Sequence, residues 1–342
     1  MICPESHGGG REPCERPAAN VVVIGGSAGA IGALSRLVAG LTPDLAAAIF
    51  VVIHIPPDVG SVLPEILSRA GPLPAQHARE GESVRMGRIY VAPPNHHLTV
   101  HNSTMRVQMG PRENRHRPAI DPLFRTAARA YPGCVIGVIL SGYLDDGVAG
   151  LYAVRRQGGV AMIQEPADAE AADMPLRAME YSGADYVLPA AEIGQVIPRL
   201  LQCVGGAMGK SNADKENDAR ANEDQRTNEQ VAYPEEGGGK PSVFACPECH
   251  GTLWELQEGK VTRFRCRVGH AYSEGALHQE LSESAESALW AAMRALEEKA
   301  AMNGRIADTS AAPPSHRDRL RDQAAADQQH AQVIRNMIFQ GK

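Results

Sequence analysis

Aromatic residues are scarce: Phe, Trp and Tyr make up 4% of the 342 residues. Aliphatic side chains and alanine must therefore fill any core, within a hydrophobic fraction of 43%. No apolar run approaches the roughly 18 residues of a membrane-spanning helix. Positive charge is not in excess either: 34 Lys and Arg face 40 Asp and Glu, for a net charge of -6. That excludes a nucleic-acid binder driven by phosphate neutralisation. The first twenty residues are rich in Gly, Pro and charge and lack the basic start and apolar stretch of a secretory signal. Cysteine is also sparse. Cys3, Cys14, Cys134 and Cys203 are scattered, while Cys246, Cys249 and Cys266 cluster. This is no disulfide framework; it predicts a reducing compartment, the cytoplasm, and one metal site.

What is present is a regular alternation. Short β-branched runs at 21–24, 48–53, 135–140 and 160–164 read as buried strands, with further strands at 87–92 and 186–188. Segments with helical spacing lie between them, at 30–38, 122–131, 148–157, 175–182 and 191–202, and a hairpin is expected around 100–109. Strands without polar alternation, each followed by a helix, predict a doubly wound, mostly parallel α/β sheet with flanking helices. The expected organisation is a disordered tail over 1–19, an α/β domain over 20–204 and a flexible linker over 205–241. A small Cys/His module follows over 242–272, and a helical segment over 273–342. The linker assignment rests on composition, because that stretch has too few apolar residues to offset its ordering entropy.

The first strand runs into Gly25-Gly26-Ser27-Ala28-Gly29, a Gly-x-Ser-x-Gly between strand and helix. Small neighbours permit the tight turn that lifts a serine hydroxyl above a sheet, and the helix N-terminus favours a developing oxyanion. The same stretch, with Gly26, Gly29 and Gly32, also fits a loose phosphate-binding loop or a structural turn. A dinucleotide site would call for an acidic residue at the end of the second strand. His54 stands there instead, which suits a serine as general base. After the 135–140 strand come Asp145 and Asp146, either of which could orient an imidazole while the other caps the next helix. Spacing does not choose between them. The order Ser, His, Asp differs from the Ser, acid, His of common α/β-hydrolases.

Four segments together resemble the catalytic domain of the chemotaxis protein-glutamate methylesterases (CheB). The family pattern runs G-A-S-T-G-G, Q-H-M-P-P, N-R-H-R-P-S-V-D-x-L-F and T-G-M-G-x-D-G-x-x-G. Here the matching stretches begin at Gly25, Ile53, Asn114 and Ser141, in the same order over about residues 20–204. The resemblance implies the triad Ser27, His54 and Asp146, and so prefers Asp146 over Asp145. It implies hydrolysis of glutamate methyl esters on a chemoreceptor or similar signalling protein, with release of methanol and a methyltransferase as counterpart. Family members also deamidate glutamine. No cofactor is expected for catalysis, and neither nucleic acid nor membrane insertion. Ala28 replaces the family's threonine after the nucleophile, and Tyr143 replaces the acid-loop methionine whose backbone faces the oxyanion. Arg117, in the basic loop 114–117, is a candidate substrate contact. The first strand begins at Val21, so a stand-alone methylesterase domain without a receiver domain is expected. A non-catalytic signalling adaptor is the alternative, working through the module and C-terminal helices.

In the module, Cys246-x-x-Cys249 is followed by Cys266-x-x-x-His270 across a hairpin. Four such ligands suit a closed, structural tetrahedral zinc site, and the module reads as zinc-ribbon-like.

Overall fold

The computed structural model describes residues 20–55, 60–207, 239–258, 261–309 and 313–340. The tail 1–19 and most of the expected linker therefore lie outside the described residues. The chain divides into two compact units between Ala276 and Leu277.

In the first unit, the apolar runs become the parallel strands β1 (Val21–Gly26) and β2 (Ala48–Ile53), with every residue buried. α1 (Ala30–Ala39) lies between them and α2 (Leu63–Ala70) follows. β3 (Ala75–His77) and β4 (Ile89–Val91) come next, then the hairpin β5 (His97–His101) and β6 (Thr104–Gln108). α3 (Ile120–Ala130), β7 (Val135–Ile139), α4 (Val148–Arg156) and β8 (Val160–Gln164) continue the alternation. α5 (Asp173–Arg177) runs into a π-helical turn, and β9 (Tyr186–Leu188) and α6 (Ala190–Ala207) close the domain. Seven strands form one sheet in the order β3-β4-β2-β1-β7-β8-β9, paired in parallel throughout.

Alternate residues of each strand enter opposite cores. Val22 and Ile24 pack with Leu34 and Leu37 of α1, Leu67 of α2 and Ile193 of α6. Val21 and Val23 belong to the other layer, with Leu123 and Phe124 of α3 and Leu151 of α4. Burial on both faces explains why the strands read as continuous apolar runs. From β1 the chain goes one way to β2, β4 and β3, and the other way to β7, β8 and β9. The switch point lies between β1 and β7, where open parallel sheets gather ligands.

β10 (Lys240–Ala245), β11 (Thr252–Glu258), β12 (Val261–Cys266) and β13 (Ala271–Ser273) form a four-stranded antiparallel sheet in the same unit. Val261 of this module joins the buried cluster around α3 and α4.

The second unit is helical, built from α7 (Glu274–Thr309), which begins just before it, and α8 (Pro314–Gln340). Trp290 meets Phe339 edge-on at 5.8 Å, Glu297 pairs with Arg335, and Lys299 with Asp327 at 3.0 Å. Partners that descend along one helix as they climb the other define an antiparallel hairpin. No helix among the described residues is long and apolar enough to cross a membrane.

Candidate active site

Ser27, His54 and Asp146 follow β1, β2 and β7, three strands adjacent in the sheet. Ser27 occupies the turn between β1 and α1, and Gly29, at φ 73°, supplies the left-handed residue that starts the helix. The turn is clamped to the acid loop: Ser27 N–H donates to Ser141 O at 2.9 Å, and Ser141 Oγ donates to Ala28 O at 2.7 Å. A Cβ on Gly142 would stand 2.9 Å from the Ser27 Cβ, so the two loops touch where only hydrogen fits.

His54 N–H donates to Gly26 O, tying the end of β2 to the turn. The imidazole Nε2 donates to Asp146 Oδ2 at 2.8 Å, and both side chains are buried. Nδ1 of the same ring is buried and has no hydrogen-bond partner among the described residues. Because the Asp146 carboxylate can only accept, the proton belongs on Nε2 and the lone pair on Nδ1.

Asp146 accepts three further hydrogen bonds, from Asn114 Nδ2 at 2.9 Å, Ile120 N–H at 2.6 Å and Asp121 N–H at 3.3 Å. The last two are unsatisfied donors of the first turn of α3, so Asp146 caps that helix from outside. Burial alone would raise its pKa. The His54 bond and charge and the Ile120 N–H outweigh burial and hold it below the usual carboxylate range. Asp121 shows the converse: burial, then the Asp146 charge beside it, push it up to about 7. Asp145 turns away to accept from Ser273 Oγ. Neither aspartate side chain caps α4, whose N-cap is Gly147.

Ser27 and His54 line one open cleft with Ile55, Asn95, Arg112, Arg115, His116 and Arg117. Arg117 is fixed by Asn95 Oδ1 at 2.9 Å and Gly110 O at 2.8 Å. Tyr143 is 62% exposed and lies outside that lining. His116 stacks flat on His54, with centroids 3.5 Å apart and planes 10° from parallel. Burial, then the neighbouring His54, lower its pKa to about 3, so it stacks as a neutral ring at neutral pH. No local sequence pattern marks these parts for His116 and Asn114, because stacking on His54 and bonding to Asp146 arise only in the folded chain.

Cys246, Cys249, Cys266 and His270 come together, with their ligand atoms all within 4.8 Å of one another. Cys249 Sγ lies 3.6 Å from Cys266 Sγ, and His270 Nδ1 lies 3.6 Å from both Cys246 Sγ and Cys266 Sγ. Bonds of about 2.3 Å to sulfur and about 2.0–2.1 Å to nitrogen give tetrahedral edges of about 3.8 and 3.6 Å. The cluster thus has the dimensions to hold a metal. Nε2 of His270 pairs with Glu248 at 3.3 Å, the kind of outer partner that orients a ligating imidazole.

Residues 22–197 match the CheB methylesterase family. A Leptospira interrogans relative is 38% identical over 182 residues, covering 53% of this chain and 94% of that one. A Caulobacter vibrioides protein named protein-glutamate methylesterase/protein-glutamine glutaminase 2 is 35% identical over 199 residues. That match covers 56% of this chain and 57% of the other. Among solved structures, the crystal structure of the Thermotoga maritima CheB methylesterase catalytic domain matches with a TM-score of 0.51 at 32% identity. It covers 53% of this chain and 98% of that one. The match spans both layers of the parallel sheet and all three loops of the cleft, and the chain belongs to the CheB methylesterase family.

Proposed function

We propose that the protein is a serine hydrolase that removes methyl esters from glutamate side chains of chemoreceptor-like proteins. The observation that carries this reading is the buried His54–Asp146 pair, whose free Nδ1 belongs to a ring sharing one cleft with Ser27. Ser27 Oγ attacks the ester carbonyl as Nδ1 takes its proton. The tetrahedral intermediate expels methoxide, which leaves as methanol with the proton held by His54. Water then attacks the acyl carbon by the same route, restoring the Ser27 hydroxyl and releasing glutamate. Asp146 stabilises the imidazolium and keeps the ring turned. The main-chain N–H groups of Ala28 and Tyr143 donate to no group among the described residues and are the proposed oxyanion donors. This assigns Tyr143 through its backbone, consistent with its side chain lying outside the cleft. Arg112, Arg115 and Arg117 give the rim a positive charge that suits an acidic substrate helix and the product carboxylate. The same acyl chemistry, with ammonia as leaving group, would deamidate glutamine, as the names of relatives suggest.

Zinc is the proposed metal for Cys246, Cys249, Cys266 and His270, because the edge lengths and the thiolate-rich donor set suit a closed tetrahedral ion. A role in the cytoplasm follows from the sparse cysteines and the receptor segment served, with a methyltransferase as the opposing activity.

The test is methanol release from a receptor signalling segment carrying glutamate methyl esters, measured beside Ser27→Ala. Release by the native chain and none by the variant is expected. Equal release would remove Ser27 from the mechanism, and none from either would remove the esterase reading.

A further inference from the structure

Asn114 stands between the Cys/His module and the acid of the cleft. Its Nδ2 donates to Asp146 Oδ1 at 2.9 Å and to Asp121 Oδ2 at 3.0 Å. Its Oδ1 accepts from Ser273 N–H at 2.7 Å, and its own N–H donates to Ala271 O at 2.8 Å. Ala271 directly follows His270 of the metal cluster, and its N–H donates back to Arg112 O at 3.3 Å. Strand β13 thus extends along residues 112–114, which carry Arg112 of the cleft and lead into Arg115 and Arg117. The side chain is buried and three of its bonds fix its amide orientation: the two acceptor carboxylates require the NH2 on one side, and Ser273 N–H requires the oxygen on the other.

Three more contacts tie the same surfaces together. Glu113 accepts from Arg263 of β12 at 2.9 Å and from Arg125 of α3 at 2.7 Å. Ser273 Oγ donates to Asp145, the neighbour of the triad acid. Val261 enters the hydrolase core. An appended domain that merely shares the chain has no need to satisfy the hydrogen bonds of a buried catalytic acid.

We propose that the Cys/His module is a working part of the hydrolase site, with Asn114 as the positioning residue through which it holds Asp146, and hence His54, in register. This rests on the triad reading above. The module's β13 anchors Asn114; Asn114 supplies one of the four hydrogen bonds to Asp146; and Asp146 orients the imidazole. Loosening the module should impair proton transfer more than it weakens substrate binding.

The experiment uses the full chain with three variants. Asn114 has φ 48°, a left-handed conformation that glycine and aspartate both tolerate, so N114G and N114D remove the amide donor without backbone strain. R263M cuts the module's ion pair to Glu113 at a residue that does not line the cleft. For methanol release, N114G and N114D are expected to lower kcat on the order of ten- to a hundred-fold, the cost of a small misplacement of a catalytic group. KM should stay within about two-fold, and the acid limb of the pH profile should move. R263M should do the same more weakly. In proton NMR, the downfield His54 Nε2–H signal held by Asp146 should weaken or exchange away in all three.

Wild-type kcat, pH profile and imidazole signal in R263M would overturn the coupling to the module. The same result in both Asn114 variants would overturn the positioning role. Should R263M fail to fold by circular dichroism, Val261→Ala, which trims the module's apolar contact, takes its place under the same criteria. If the native chain releases no methanol, the esterase reading fails by itself, and the imidazole signal still decides the coupling.

Discussion

His54 reaches Asp146 through Nε2, leaving Nδ1 without a hydrogen-bond partner among the described residues and so available as the proposed base. The carboxylate that fixes this arrangement is itself fixed four times over, by His54, Asn114 and two amides of α3. Asp146→Asn would replace an acceptor with a group able to donate, and the imidazole could lose the tautomer that places its lone pair on Nδ1. A fall in kcat on the order of 10³- to 10⁴-fold, with the fold retained, is expected in steady-state assays. Gly142→Ala belongs to the same scale. Its methyl group would stand 2.8 Å from Met174 Cε and 2.9 Å from Ser27 Cβ. Met174 can swing aside, but Ser27 sits in a hydrogen-bonded turn, so kcat should fall by about ten-fold or more with little change in melting temperature. Ser27 and His54 of the proposed triad were legible in the sequence because each directly follows a strand written in β-branched residues, whereas spacing left Asp145 and Asp146 open and only the family resemblance preferred Asp146. Asn114 was not, since it meets Ser273 across 159 residues of chain and no local pattern announces that meeting.

At the scale of elements, the most consequential joint is the trio of half-buried Glu113 and Arg125 with buried Arg263, which clamps β12 to α3. Burial would raise the Glu113 pKa, but the two guanidinium charges lower it to about 2. The folded pKa is therefore below the unfolded value of roughly 4.3, and the stabilisation is complete above that pH and lost as pH falls towards 2. Glu113→Gln takes the carboxylate from between two guanidinium groups and should cost about 1.5–3 kcal/mol at neutral pH. Thermal melts of both chains should show the gap narrowing between about pH 4.3 and 2. A constant gap across that range would mean the carboxylate is not the anion that matters. The sequence placed β2, β8 and β9 at their observed limits, because continuous apolar runs leave little choice of boundary. It missed α2 and β3. β3 is Ala-Gln-His, half-buried and without a β-branched residue, and only its pairing with β4 makes it a strand. The module's β10 and β13 were missed for a similar reason: each is defined by its neighbour rather than by its own composition.

At the scale of the whole molecule, a parallel sheet supplies the cleft at its switch point, and the Cys/His module packs behind the acid loop of that cleft. Aliphatic packing replaces the scarce aromatics: Phe50, Tyr90, Phe124 and Tyr272 are the aromatic side chains among the largest fully buried ones. The module is too small to fold on apolar burial alone and is expected to bind about one zinc per chain. Elemental analysis should find that metal in the native chain and lose it in a Cys246→Ser, Cys266→Ser double variant; a native chain without zinc would contradict the assignment. The central claim, that Ser27 is a nucleophile activated by His54, is tested most directly by labelling with a serine-directed phosphonate and mapping the adduct by mass spectrometry. One adduct on Ser27, abolished in His54→Ala, is the expected result. An adduct on another residue, or undiminished labelling of Ser27 without His54, would contradict it.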